Sequence, residues 1–205
     1  MVTKPKKMKL INTIEEYKWL WGGKMSANRK EIRMGPLEAT ILHFFCKKAK
    51  TRIVEIGRMF GGSTFVICNC STVPVISIDH VYRENLKKIE EQFEGRLQLI
   101  NEKSHRVKLQ DTYDVLYVDG DHSGNGVRGD IVNYWNNLKI NGHAIFHDFW
   151  TRPSVRRNVQ TLLQNNIGEE ITITDKPTTQ LSIEDGEHLN QDIIVLRKIQ
   201  ELPEK

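Results

Sequence analysis

No stretch of this 205-residue chain stays apolar for the roughly 20 residues that a membrane-crossing helix needs, which excludes a helical membrane protein. Lys4, Lys6, Lys7 and Lys9 crowd the start of the chain, but no signal-type apolar stretch follows them. A cytoplasmic protein with no membrane partner is therefore expected. Cysteine is scarce: Cys46, Cys68 and Cys70 are an odd count without Cys-x-x-Cys spacing, which argues against a disulfide framework or a structural zinc site. Charge of one sign is scarce as well. A formal net charge of +4 makes no strong electrostatic claim on nucleic acid, and the lysine-rich start reads as a solvated tail. Internal repeats and low-complexity segments are absent, so one sizeable core is the expected organisation.

What the chain does have is rhythm. Residues 14–20 carry apolar positions at helical spacing before "WGG" interrupts them, and 1–35 read as an N-terminal tail and helical cap. The main domain is expected over 36–205. It starts with a helix over about 36–48, with Leu37, Ile41, Phe44 and Phe45 on one face and Pro36 in its first turn. Strands are then expected at 52–56, 73–79, 97–100, 114–119 and 142–148. Helices are expected at about 64–70, 82–93, 127–138 and 154–165, and 170–174 with 192–198 reads as a terminal hairpin. This alternation predicts an α/β fold, a doubly wound parallel sheet with helices on both faces.

Ligands of such sheets sit at the carboxyl ends of the strands. Four of the five expected parallel strands end in polar groups: Glu55, then Asp79, then Asp119 with Asp121 and His122, then His147 with Asp148. Charge on core strand tips costs folding energy unless something binds to it. The turn "VEIGRMFGGST" has Gly57, Gly61 and Gly62 between strand and helix, but its spacing is not Gly-x-Gly-x-x-Gly. An acid such as Glu55 at its start would repel a pyrophosphate and suits an amino-bearing ligand, while Asp79 can accept the hydroxyls of a ribose.

Together, "VEIGRMFGGST", "VISIDH", "YDVLYVDGDHSGNGVRGDI" and "GHAIFHDF" resemble a class I S-adenosylmethionine-dependent methyltransferase, in the small-molecule branch of macrolide-sugar and catechol O-methyltransferases. The resemblance implies a Rossmann-like sheet of seven strands with the last antiparallel. It implies S-adenosyl-L-methionine as cofactor, with Glu55, Gly57, Gly61 and Ser63 on its methionine side and Asp79 on its ribose. Ser104 falls near the adenine position, although Asn101 and Glu102 depart from the family pattern there. Asp119 is also implied in cofactor binding. Relatives hold Mg²⁺ with a first acid on the fourth strand and an adjacent acidic or amide pair after the fifth; Asp119 and Asp148 match the first and last of these, and His147 stands as a ligand where the relatives carry an acid. The histidine at 147 leaves Mn²⁺, another transition ion or a metal-free site open beside Mg²⁺. His122 carries over as the general base.

The reaction implied is O-methylation of a small-molecule hydroxyl, such as that of a sugar. Rival readings are a nucleic-acid methyltransferase, against which "DGDH" stands in place of an Asn/Asp-Pro-Pro-aromatic turn, and a non-catalytic S-adenosylmethionine-binding protein. Asp121 reads either as a loop stabiliser or as a support for His122, and Asp130 as a helix cap. Arg128, Arg152, Arg156 and Arg157 read first as a solvated helix face and second as a preference for an acidic acceptor. Trp135 reads as core, and Trp150 as a candidate substrate wall. Small enzymes of this type often pair, so a homo-oligomer is an expectation.

Overall fold

The computed structural model describes residues 34–84, 86–171 and 192–203. The expected helix at 14–20, the tail and helical cap, and most of the first strand of the terminal hairpin lie outside them.

Helix α1 (Pro36–Cys46) leads into strand β1 (Ile53–Ile56), helix α2 (Gly62–Cys70), strand β2 (Val75–Asp79), helix α3 (Leu86–Gln92) and strand β3 (Leu97–Asn101). After one 3₁₀ turn at Ser104–Arg106 come strand β4 (Tyr113–Val118), helix α4 (Gly124–Tyr134) and strand β5 (Leu138–His147). Helix α5 (Pro153–Gln164) and strands β6 (Gly168–Glu170) and β7 (Ile193–Lys198) complete the order. The seven strands form one sheet in the order β3-β2-β1-β4-β5-β7-β6. β3 through β5 run parallel, and β7 lies antiparallel between β5 and β6. The expected doubly wound sheet with an antiparallel last strand is what forms.

Side chains alternate across a strand, so each strand feeds two cores. Val54, Ile56, Leu116, Val118, Ala144, Phe146, Ile194 and Leu196 pack on one face with Val127, Ile131, Val155 and Val159 of α4 and α5. Ile53, Val75, Val115, Tyr117, Ile145, Ile193 and Val195 pack on the other face with residues of α1 and α2. Several boundaries differ from expectation: α3 covers Leu86–Gln92 rather than 82–93 and α4 ends at Tyr134 rather than 138, and two further shifts have a visible cause. Helix α4 starts at Gly124 because Ser123 caps it, its hydroxyl accepting the Gly126 N–H at 3.0 Å. Strand β5 starts at Leu138 because its register against β4 is interrupted between Tyr113 and Val115, around Asn141 with φ 65°.

The sheet order places the strand ends of interest side by side. Gly57 follows β1, and its N–H donates to the Ile78 carbonyl at 2.8 Å. Asp119 follows β4, and its N–H donates to the Ile56 carbonyl at 2.8 Å. A Cβ on Gly57 would lie 2.0 Å from the Asp119 carbonyl oxygen, and the residue has φ 83°, so only glycine fits.

Candidate active site

A cavity of about 620 Å³ opens over the carboxyl ends of β1, β2 and β4. Asp79 and Ser104 line it on the β2–β3 side, Asp119, Asp121 and His122 on the β4 side, and Gly57 and Ser63 between them. Glu55 and Gly61, expected on the methionine side, are not among the lining residues. The β-strand register explains Glu55. It pairs with Ser77 and Tyr117 inside the ladder, on the face covered by α1 and α2. There it is fully buried and accepts hydrogen bonds from Ser63 Oγ at 2.5 Å and Thr64 Oγ1 at 2.6 Å. Burial raises its carboxyl above the usual range against the effect of those hydroxyls. Gly61 instead makes the turn into α2 at φ 84°, its would-be Cβ meeting Ile89 and Leu86.

Asp79 is held firmly. Its carboxylate accepts the N–H groups of Arg58, Met59 and Val81 at 3.0, 3.0 and 2.9 Å. Although burial works the other way, those N–H bonds and the Arg58 charge lower its pKa. Ser104 donates to Asp130 Oδ1 at 2.6 Å, and its carbonyl accepts the Tyr134 hydroxyl at 2.8 Å. Asp130 is therefore no cap: it lies inside α4, almost wholly buried, and burial pushes its carboxyl up to about 6. Asp121 stabilises its loop by accepting the N–H and hydroxyl of Ser123, both at 2.9 Å.

Two imidazoles flank two carboxylates beyond the β4 and β5 ends. His122 Nε2 lies 2.9 Å from Asp148 Oδ2 and 3.4 Å from Asp119 Oδ1. His147 Nδ1 lies 3.4 and 3.5 Å from the same two oxygens, while its Nε2 faces Glu38 Oε2 at 3.4 Å. The His147 contacts are ion-pair contacts rather than aligned hydrogen bonds, since neither ring nitrogen meets hydrogen-bond geometry. Donor atoms of Asp119, His122 and Asp148 all fall within 4.8 Å of one another, close enough to share one cation. Asp119 first and Asp148 second hold His122 up to about 9. Burial disfavours a charged His147, but Asp148, Glu38 and Asp119 raise it to about 11. His122 and then His147 hold the Asp148 carboxyl far below the usual range.

Three residues around the site have no signature in the sequence. Glu38, buried in the first turn of α1, accepts the Gly35 N–H at 2.7 Å and the Asp192 N–H at 2.9 Å while facing His147. Asp192 accepts the N–H groups of Trp150 and Thr151 at 2.6 and 3.1 Å, and Thr151 Oγ1 bonds Asp148 Oδ1 at 3.1 Å. These bonds fix the turn in which Asp148 adopts φ 57°, a left-handed conformation that aspartate tolerates better than most residues. The third is Arg58, inside the glycine turn. Of the outer candidates, Trp135 is fully buried core, Trp150 is 58% exposed against Phe149, and Arg128, Arg152 and Arg157 are exposed with Arg156 half-buried.

No helix among the described residues is long and apolar enough to cross a membrane. Residues 54–149 match the model of a family described as a methyltransferase domain. Comparison with curated proteins by sequence finds no match. Among solved structures, the O-methyltransferase NovP superposes with TM-score 0.64 at 13% identity, covering 83% of each chain. CalS11, a TDP-rhamnose 3′-O-methyltransferase of calicheamicin biosynthesis, gives 0.58 at 12% identity, over 91% of this chain and 93% of its own. The N-methyltransferase NodS from Bradyrhizobium japonicum gives 0.57 at 14%, over 79% of this chain and 94% of its own. At such identities these likenesses establish the fold.

Proposed function

Residues 54–149 form a class I S-adenosylmethionine-dependent methyltransferase domain, and from that premise we propose that the protein methylates a hydroxyl of a small molecule, such as a sugar, using a divalent cation and a histidine base. The observation that carries this reading is the meeting of the Asp119 and Asp148 carboxylates with two imidazoles, His122 and His147, beside a cavity whose far wall is Asp79 and Ser104. An N-methylating enzyme attacks with an amine lone pair and has less use for a cation-binding cluster. A hydroxyl at neutral pH is a weak nucleophile and needs one or a base. The sugar in the reading draws on the likeness to CalS11.

The cofactor supplies an electrophilic methyl on a sulfonium. Gly57, Ser63, Asp79 and Ser104 line the cavity; Gly57 would let the backbone come close to the cofactor, Ser63 would line the same wall, Asp79 would accept its ribose hydroxyls and Ser104 would stand at its adenine. The donor set of two carboxylates and an imidazole fits Mg²⁺ or Mn²⁺, which would lower the pKa of the acceptor hydroxyl. Asp119 and Asp148 would hold that ion with His147. In this reading His147 is the ligand because the Glu38 carboxylate faces its other nitrogen at 3.4 Å, on the side where a ligating histidine usually finds its support. His122, with 34% of its side chain exposed against 11% for His147, is the imidazole that an incoming acceptor would meet, and it takes the proton. A histidine held between two carboxylates keeps its proton more tightly, and a cation held by those carboxylates would weaken that hold and suit His122 to act as a base.

Calorimetric titration of S-adenosylmethionine and S-adenosylhomocysteine, with and without Mg²⁺ or Mn²⁺, tests the reading. Both nucleosides should bind, and Asp148→Ala should abolish metal dependence while leaving cofactor affinity within a few-fold. His147→Ala should lose metal binding. His122→Ala should keep it and lose about a hundred- to ten-thousandfold in turnover. Failure of either nucleoside to bind overturns the reading, and loss of cofactor affinity in Asp148→Ala overturns the ligand assignment.

A further inference from the structure

The glycine turn contains a guanidinium that the proposed chemistry does not use. Arg58 is 2% exposed, although it sits in a loop at the mouth of the cavity and counts among its lining residues. Removing this charge from water is costly unless its donors are satisfied, and an apolar residue would serve packing equally well. Nη1 donates to the carbonyls of Ser77 at 2.8 Å and Ile100 at 3.1 Å. Nη2 bonds Asn101 Oδ1 and reaches the Asp79 carbonyl at 3.5 Å. The backbone N–H of Arg58 donates to Asp79 Oδ2 at 3.0 Å. One residue thus ties the β1 turn, the end of β2 and the end of β3 around a single carboxylate. Its Nε–H, also buried, has no partner among the described residues. Buried donors are rarely left so, and an acceptor atom arriving with a ligand would complete the set.

The turn also stores strain that something must hold. Gly57, Met59 and Gly61 have φ of 83°, 47° and 84°, and Met59 is no glycine. The amides of Arg58 and Met59 both point at Asp79, so the position of that carboxylate and the shape of the turn depend on each other.

We infer that Arg58, with Asn101, is a positioning residue for the nucleoside: it fixes the Asp79 carboxylate where the ribose hydroxyls of the cofactor arrive. The inference rests on the proposed S-adenosylmethionine site and adds a residue pair that makes it selective for ribose. Asn101, which departs from the family pattern, is the partner that a buried arginine at 58 requires.

Calorimetry with S-adenosylhomocysteine and its 2′-deoxy analogue tests this without catalysis. Wild type should prefer the ribose form by about ten- to a hundredfold, the effect of one hydrogen bond to a charged group. Arg58→Met should weaken S-adenosylhomocysteine binding by about that factor and cut the preference to under about threefold. Asn101→Ala, which carries the test should Arg58→Met not fold, should shift both in the same direction by a smaller factor. Arg58→Lys should recover little, since an ammonium cannot reach the strand carbonyls and the amide together. Unchanged preference in Asn101→Ala and Arg58→Met, or equal weakening of both ligands, overturns the inference and leaves a structural arginine. Absence of any nucleoside binding to wild type overturns the cofactor reading instead.

Discussion

Gly57→Ala should be the most damaging single-methyl addition near the site, and its cost can be worked out from two separable effects. The first is backbone strain: at φ 83° an alanine is disfavoured by about 1–2 kcal/mol, less the roughly 0.4–1 kcal/mol it gains by stiffening the unfolded chain. The second is a clash. The new carbon would lie 2.0 Å from the Asp119 carbonyl oxygen, 2.4 Å from its carbon and 2.8 Å from the Gly120 Cα, all of them backbone. Overpacking of this kind costs about 1–3 kcal/mol or more, because no side-chain rotamer can relieve it. The total is about 1–5 kcal/mol, near 3 kcal/mol at mid-range. For a domain of this size that is a fall in Tm of about 10 °C.

Gly95 provides the control. Its φ is 77°, but a Cβ there meets nothing within 4 Å, so Gly95→Ala bears the strain alone, about 1 kcal/mol or 3 °C. Urea and thermal unfolding of the two variants isolate the clash by difference. Equal destabilisation within about 0.5 kcal/mol would refute the close approach of the β1 turn to the end of β4. Since that approach sets the spacing between Asp119 and the glycine turn, Gly57→Ala should also weaken S-adenosylhomocysteine binding, whereas Gly95→Ala should not.

Asp130 gives a pH signature. Its carboxyl titrates near 6 in the fold and near 3.8 unfolded, so the folded state binds the extra proton between those values, and stability contributed by the protonated form is lost as pH rises through 6. Asp130→Asn should therefore be more stable than wild type by about 3 kcal/mol at pH 8 and by almost nothing at pH 3.5, read as the difference between two urea series; a pH-independent difference would refute the buried charge. Lys198 is fully buried, and its ammonium donates to the Trp135, Asn136 and Leu138 carbonyls at the end of α4 and to Glu201. Lys198→Met should cost about 2–4 kcal/mol in urea unfolding, against under about 1 kcal/mol for Glu201→Gln, whose side chain is half exposed.

The sheet was legible because parallel strands are buried on both faces and appear as short apolar runs, as "RIVEI" and "DVLYVD" do. What misled was local. Helix α4 begins at a serine cap inside the polar "DGDHSGNG" stretch, where apolar periodicity has not started, and β5 begins before an irregularity that breaks its alternation. Asp130 resembled a cap because it is an acid near the start of an apolar stripe, yet it sits two turns into the helix and faces Ser104. The candidate cluster was legible because Asp119, His122, His147 and Asp148 occupy two strand tips. Glu38 and Asp192 were not, for a physical reason: the bond that joins them spans 154 residues, and each alone reads as an ordinary helix-start or strand-start acid.

The two strand-end acids Glu55 and Asp79 show what decides between supporting the cavity wall and lining the cavity. Both follow apolar runs and precede a turn, and by composition they are alike. Glu55 lies one residue inside the ladder, paired on both sides, so alternation fixes its side chain on the α2 face, where the hydroxyls of Ser63 and Thr64 take up both oxygens. Asp79 lies one residue past the last β1–β2 pair, still paired with Asn101 of β3 but with no β1 residue beside it, and its side chain reaches the cavity. The same test separates Tyr117, inside the β4 ladder and fully buried, from Asp119, the second residue beyond it. Glu55 still serves the site, since the hydroxyl it holds belongs to Ser63, which lines the cavity wall. A two-residue step along the sheet thus separates a carboxylate that lines the cavity from one that supports its wall.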